Sequence, residues 1–365
     1  MTNTLKHRIF LVSGPSQVLF LSAALVKDAD LNTEVYADIL VFSAVAYPKE
    51  KKAICEEIAM TVWEWKTIIW LPETNYFDSK DTSGVLSTIF KERPYQIWLC
   101  MPYGKVELVF TKHFYSTSIV RYDDGLGTYV IPRTLTELLK TPSFLKKQLN
   151  LVVAKSGRFV KDFLTLKRFS LPKLAPKKRY GLFASFVGST AKNSKQVEVE
   201  WHYLKAQLEK FNLHDKAIVQ PLEEKTCLIL GQYFSLLGFF DREEELNHYK
   251  KLCQYLYSEG YTILWKEHPK NRKPFFNELK ATFTQIEDFN NYHSSYWPLE
   301  VVVKDFNIDL FIATTSTSIV VLDKAFGYTT KSSAPLMIDK LQGADKQVAE
   351  ILVERLNEEQ LINKI

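Results

Sequence analysis

Residues 8–30 read Arg8-Ile-Phe-Leu-Val-Ser-Gly14-Pro15-Ser16-Gln17, then "VLFLSAALVKDAD" to Asp30. The opening apolar run has strand length, Gly14 to Gln17 break it, and the run that follows is long enough for a helix. A basic start before an apolar run also fits a secretory leader. The break at Gly14–Gln17 and the lack of a small-residue cleavage site favour a first strand, a tight turn and a first helix. No stretch approaches the roughly 18 consecutive apolar residues of a membrane span, so the expectation is a cytoplasmic protein.

The same unit repeats along the chain. Strand runs "RIFLVS", "DILVFS", "KTIIWL", "QIWLC" and "STSIVRY" in the first half are separated by helical patterns such as "PKEKKAICEEIAMTVWEW" and "SGVLSTIFKERP". In the second half "YGLFASF", "TCLILG", "YTILWKE" and "DLFIATT" alternate with "SKQVEVEWHYLKAQLEKF" and "REEELNHYKKLCQYLYSEG", which place apolar residues three and four apart. Alternating βα units with apolar strands predict α/β architecture with parallel sheets covered on both faces. Two such series predict two doubly wound domains, 1–170 and 171–365. The boundary is expected within "LKRFSLPKLAPKKRY", residues 166–180, with two prolines and six basic residues. Those charges read as a solvated hinge or as a patch for an acidic polysaccharide or the inner membrane surface. The C-terminal "DKQVAEILVERLNEEQLINKI" predicts an amphipathic helix packed back on the body.

Composition narrows the class. At 365 residues with 46% hydrophobic and 24% charged residues the chain is globular. A net charge of +5 suits an anionic substrate or surface but lacks the concentrated stripe of a nucleic-acid binder. Cys55, Cys100, Cys227 and Cys253 form no C-x-x-C pair and read as buried reduced thiols. The seven histidines form no H-E-x-x-H or similar cluster, so no protein-held metal or cofactor is expected. The first turn lacks both G-x-G-x-x-G and G-x-x-x-x-G-K-[ST], which removes the dinucleotide fingerprint and P-loop hydrolysis.

Four segments can carry chemistry. "RYDDGLGTY" sets Asp123 and Asp124 against Gly125 at a strand end, either as an ordinary turn or as a carboxylate held to take a proton. "LWKEHPKN" puts Lys266, His268 and Pro269 just past a strand, where the proline holds the preceding residue extended. "DLFIATTSTSIVVLDKAFG" runs a buried strand into Thr314-Thr315-Ser316-Thr317-Ser318 and then a helix. That many hydroxyls suits a phosphate oxyanion as well as simple capping. "SSYWPLEVVVKD" offers Glu300, either a ribose acceptor or a first-turn glutamate favoured by the helix dipole.

Together "YDDGLGTYV", "KEHP" and the hydroxyl run after "DLFIA" resemble, in order, the three signature regions of bacterial sialyltransferases, with polysialyltransferases and lipooligosaccharide sialyltransferases as the nearest groups. "VSGPSQ", with Gly14, Pro15, Ser16 and Gln17, and "LILGQYFS", with Gln232, are also similar to these enzymes. The resemblance implies a GT-B fold, two Rossmann-like domains facing a central cleft. The first would bind acceptor and hold the base, and the second would bind the CMP-sugar donor. It implies an inverting, metal-independent transfer of sialic acid from CMP-Neu5Ac to a capsule or lipooligosaccharide glycan. It also implies Asp124 as general base with Asp123 as its fallback, and His268 as the acid at the departing phosphate. Lys266 would contact the nucleotide, Glu300 the ribose, and Thr315, Ser316 and Thr317 would include the phosphate-binding pair. Peripheral association with the inner membrane or capsule machinery is the implied partnership. Transfer of another CMP-linked acidic sugar (Kdo, legionaminic acid), or a non-catalytic glycan- or nucleotide-binding role, is compatible with the same residues.

Overall fold

The computed structural model describes residues 5–43, 47–71, 79–100, 105–130, 176–187, 195–211, 225–269 and 271–356. The chain divides into two compact units, Met1–Asp124 with Thr128–Val199, and Gly125–Gly127 with Glu200–Ile365.

In the first unit, β1 (His7–Val12), β2 (Ala37–Phe42), β3 (Thr67–Trp70), β4 (Gln96–Leu99), β5 (Ser118–Tyr122), β6 (Lys178–Gly181) and β7 (Lys195–Glu198) form one sheet. Its order is β3-β2-β1-β4-β5-β6-β7, and every pairing is parallel. The connecting helices are α1 (Pro15–Leu31), α2 (Lys49–Val62), α3 (Ser79–Ile89), α4 (Lys105–His113), α5 (Gly127–Val130) and α6 (Ala184–Val187). Strand β1 is buried from Arg8 to Val12, as a parallel strand covered on both faces must be. On one face Ile9, Leu11, Val41, Ile97, Leu99 and Ile119 pack with Leu86, Phe90, Phe110 and Phe114. At the start of β1 the buried Arg8 guanidinium donates to both Asp38 oxygens, each at 2.7 Å, and to Asp28 at 2.7 Å. Lys178 and Tyr180 reach Asp28 from β6, tying the strand starts together.

In the second unit, α7 (Trp201–Leu208) precedes β8 (Thr226–Leu230), α8 (Arg242–Ser258), β9 (Thr262–Lys266), α9 (Phe276–Thr282) and β10 (Ile286–Asp288). Then come α10 (Leu299–Val302), β11 (Leu310–Ala313), α11 (Ser318–Val321), β12 (Thr330–Ser332) and α12 (Gly343–Leu356). The sheet order is β10-β9-β8-β11-β12, again all parallel. Trp265, Tyr249, Phe275, Leu252 and Ile312 centre a core between this sheet and α8. Asp241 caps α8 by accepting the Glu244 N–H at 2.8 Å, and three glutamates in the first turn suit the helix dipole.

Each sheet reverses direction once, between β1 and β4 and between β8 and β11. At such a point the loops leaving the carboxyl ends of neighbouring strands diverge and open a crevice. The α/β expectation with parallel sheets therefore holds, and the predicted strand runs are strands except "YGLFASF", of which only Tyr180 and Gly181 lie in β6 while Ala184–Val187 form α6. Two expectations change. The unit boundary falls at Val199–Glu200 and not at 170/171, because Val120, Arg121 and Tyr122 of β5 pair with Lys178, Arg179 and Tyr180 of β6. The basic end of the supposed hinge is thus a strand of the first sheet, and the rest of that segment lies outside the described residues. The helix expected over 194–211 is strand β7 followed by α7. Val197 and Val199 alternate with polar neighbours, a period of two that outweighs the helical spacing. Among the described residues no helix is long and apolar enough to cross a membrane.

Candidate functional site

The end of β5 separates its two carboxylates. Asp123 is 2% exposed. Its Oδ1 accepts from Arg179 at 3.1 Å, and its Oδ2 accepts from the Tyr129 hydroxyl and from the Phe183 N–H at 3.3 Å. Burial pushes this carboxyl above the usual range, opposed by Arg179 and Tyr129, which favour the anion. Asp124, one residue on, is half-buried, and its Oδ2 accepts from the Gln17 side-chain amide at 3.0 Å. Tyr122 completes the anchor by donating to the Leu11 carbonyl at 2.7 Å, fastening the end of β5 to the end of β1.

Two neighbours were not anticipated. Cys100, at the end of β4, is buried; burial and then the Asp124 and Glu107 carboxylates push its thiol up. Glu107, in the first turn of α4, is pushed up by burial and by Asp124. Only tertiary packing brings residues 17, 100, 107 and 124 to one place, and no local pattern announced it. Gly14 has extended backbone and Pro15 opens α1, so the "GPSQ" turn directs Gln17 across the strand ends.

The other predicted residues lie in the second unit, most of them just past the ends of β8, β9 and β11. Gly231 approaches Trp265 so closely that a Cβ would lie 2.6 Å from the ring. The Gln232 N–H donates to the Tyr249 hydroxyl at 2.8 Å. Buried Glu245 accepts the N–H groups of Phe234 and Ser235 at 3.0 and 2.7 Å, fixing the following turn. The Tyr233 ring lies 4.3 Å from that of His268. Glu267, missed from sequence, pins the turn that carries His268 and the exposed Pro269. It accepts from Trp265 Nε1 at 2.8 Å, Asn271 Nδ2 at 2.7 Å and the Phe275 N–H at 2.9 Å.

Lys266 and Glu300 act on each other electrostatically. Burial pulls the Lys266 ammonium down to about 8, while Glu300 and Asp288 work to keep it charged. Glu300 is 4% exposed; burial pushes its carboxyl up, against its own backbone N–H, the Ser318 hydroxyl and Lys266. In the hydroxyl run Thr314 is buried and bonded to Ser333 at 3.0 Å, which makes it structural. Thr315, Ser316 and Thr317 are half-buried. Ser316 Oγ accepts the Ser318 N–H at 3.3 Å, and Thr317 Oγ1 accepts the Leu126 N–H at 3.2 Å. Gly125, at φ 144°, has no room for a side chain: a Cβ there would lie 2.8 Å from Thr317 Oγ1. All four cysteines are buried and free. Among the described residues no three His, Cys, Asp or Glu side chains gather as a metal site.

Solved structures share the fold. UDP-GlcNAc 2-epimerase from Methanocaldococcus jannaschii is 11% identical, with TM-score 0.51 over 98% of this chain and 94% of that one. The S. aureus MnaA–UDP structure is 12% identical, with TM-score 0.50 over 97% and 88%. Phytolacca americana UGT2, solved with UDP-2fluoro-glucose and pterostilbene, is 10% identical, with TM-score 0.50 over 95% and 83%. At such identities the likeness speaks for architecture alone, that of two Rossmann-like α/β domains, the GT-B fold. No curated protein matches the sequence. The family comparison is more specific: the alpha-2,8-polysialyltransferase (POLYST) family matches residues 8–334, a span that holds the Gly14–Gln17 turn, the paired aspartates, the Lys266–Pro269 segment, Glu300 and the hydroxyl run. The chain therefore belongs to the alpha-2,8-polysialyltransferase family.

Proposed function

We propose that this glycosyltransferase moves sialic acid from CMP-Neu5Ac to a hydroxyl of a glycan acceptor, with inversion and without a metal ion. The acceptor oxygen attacks the anomeric carbon as the bond to the CMP phosphate oxygen breaks, and CMP leaves with the bonding electron pair. Asp124 takes the acceptor proton, and His268 gives a proton to the departing phosphate. Lys266, Glu300, Pro269 and Gln232 belong to the donor site in this reading, with Thr315, Ser316 and Thr317 supplying phosphate donors. CMP carries a single phosphate, so cationic and hydroxyl groups can stabilise its departure. An oxocarbenium-like transition state needs one base on the face away from the leaving group.

The observation that supports this most is the division of labour at the end of β5. Asp123 is buried with both oxygens engaged by Arg179, Tyr129 and Phe183, while Asp124 is half-buried. A base must meet solvent-borne substrate, and a structural anchor need not. Asp123 is accordingly the support and Asp124 the base. A positioned base contributes about 10²–10⁴-fold, so Asp124→Asn should lose transfer by that factor in a CMP-release assay and keep its affinity for CMP by calorimetry. Near-normal turnover in that variant rules the assignment out. For His268→Ala, a donor with a better leaving group should restore part of the lost rate; an equal loss with both donors rejects the acid role.

A further inference from the structure

The Gln17 side chain is held at both ends. Its Oε1 accepts from the Ser13 backbone N–H at 2.6 Å and from the Ser13 hydroxyl at 3.0 Å. Its Nε2 lies 3.0 Å from Asp124 Oδ2 and 3.2 Å from Cys100 Sγ. Chemistry fixes which way the amide points. A backbone N–H can only donate, so the atom facing Ser13 is the oxygen, and the nitrogen must face the carboxylate, which accepts. Gln17 is the third residue of α1, and a glutamine there that reaches back to the residues before the helix is a capping device. Capping uses only the amide oxygen. The amide nitrogen reaches from the first turn of α1 to the end of β5, 107 residues on, and meets the proposed base.

We infer that Gln17 is the positioning residue of the transfer reaction: fixed by Ser13 at one end, its amide holds Asp124 by one oxygen and sets the direction in which that carboxylate meets the acceptor hydroxyl. This rests on the reading of Asp124 as base. An amide suits the post because it donates without adding a charge. A lysine there would tie the carboxylate into an ion pair and make it a poorer base, and a carboxylate would repel it. The other groups facing Asp124 are the Cys100 thiol from β4, Glu107 from α4 and Tyr122 from β5, with Arg121 beyond Cys100. Among these, the amide is the neutral donor whose own orientation is locked at its far end.

The two ends of the amide can be separated by substitution. Gln17→Glu keeps an oxygen for Ser13 but replaces the donor facing Asp124 with a like charge. Its melting temperature should stay close to wild type, kcat should fall about 10- to 100-fold, and the acid limb of the pH profile should move to higher pH by about one unit. Gln17→Met removes both ends, so it should lower the melting temperature and shift the limb in the same direction, by less. Ser13→Ala frees one side of the amide oxygen and should give the smallest shift of that sign. The KM for donor should be unchanged in all three. A folded Gln17→Glu protein with wild-type kcat and an unmoved acid limb overturns the inference. So does a kcat loss uniform across pH, which marks capping alone. Asp124→Asn run in parallel separates the two levels: if it retains turnover, the base reading falls; if it is inactive while Gln17→Glu is normal, only the role of Gln17 falls.

Discussion

The ends of β5 and β9 solve the same problem with different chemistry. Each strand is followed by a carboxylate that stabilises the turn, buried in Asp123 and half-buried in Glu267, and then by the residue proposed to move a proton. On β5 the pair is Asp123 then Asp124; on β9 it is Glu267 then His268. Asp123 is matched to a buried cation, Arg179, 2% exposed. Glu267 is served by neutral donors, an indole, an amide and a backbone N–H. Burial raises both carboxyls, but only one has a charge bound to it. The first turn is therefore an ion-pair anchor whose loss strands a guanidinium in the interior, and the second a hydrogen-bond hub that loses donors one at a time.

The sharpest way to break this contrast is Asp123→Ala. Removing one partner of a buried pair leaves an uncompensated charge and costs about 3–5 kcal/mol, so urea unfolding should show a loss of that size. A loss under about 1 kcal/mol makes Asp123 an ordinary turn residue and removes the contrast. Glu267→Gln should cost less, about 1–3 kcal/mol, because it leaves one or two neutral donors unsatisfied and no charge. Its transfer rate should fall further than that loss explains, since the turn that aims His268 loosens while the sheet remains. Equal losses in the two variants remove the distinction between anchor and hub.

The same contrast explains what the sequence displayed. Alternating apolar runs exposed the strands because parallel strands are buried on both faces and need continuous hydrophobicity. β10 and β12 went unseen because each is three residues long, "IED" and "TKS", with no apolar run to read. The paired aspartates and the His-Pro segment were legible because each is contiguous. Arg179 was not: among neighbouring lysines it looked like part of a solvated hinge, and only strand pairing shows it turned inward to Asp123. Glu267 stood in plain view between Lys266 and His268. Its partners lie two residues before and four and eight residues after it, a spacing set by the turn geometry and by no periodic pattern. Glu107 and Cys100 approach Asp124 only through the sheet.

The smallest effect expected is also the one with a sign to check, and it concerns the lysine that ends β9. Burial lowers the Lys266 ammonium from its ordinary range to about 8. Below that pH the side chain is a cation, and above it is neutral. If Lys266 contacts the CMP phosphate, CMP affinity must fall as pH rises through about 8, by roughly tenfold between pH 7 and 9, where one protonation is lost. Stability must change in the opposite sense. The folded chain disfavours the charged form, so between about 8 and the ordinary lysine range the unfolded chain holds the extra proton, and stability rises with pH across that window. Lys266→Met should abolish both slopes, which calorimetry with CMP and urea unfolding across the same pH series can measure. Weaker binding together with greater stability is a signature that a general loosening at alkaline pH cannot produce, because loosening would lower both. If CMP affinity stays flat from pH 7 to 9 while the stability slope appears, Lys266 is desolvated as described but does not touch the nucleotide, and the proposed part of the β9 turn in the reaction rests on His268.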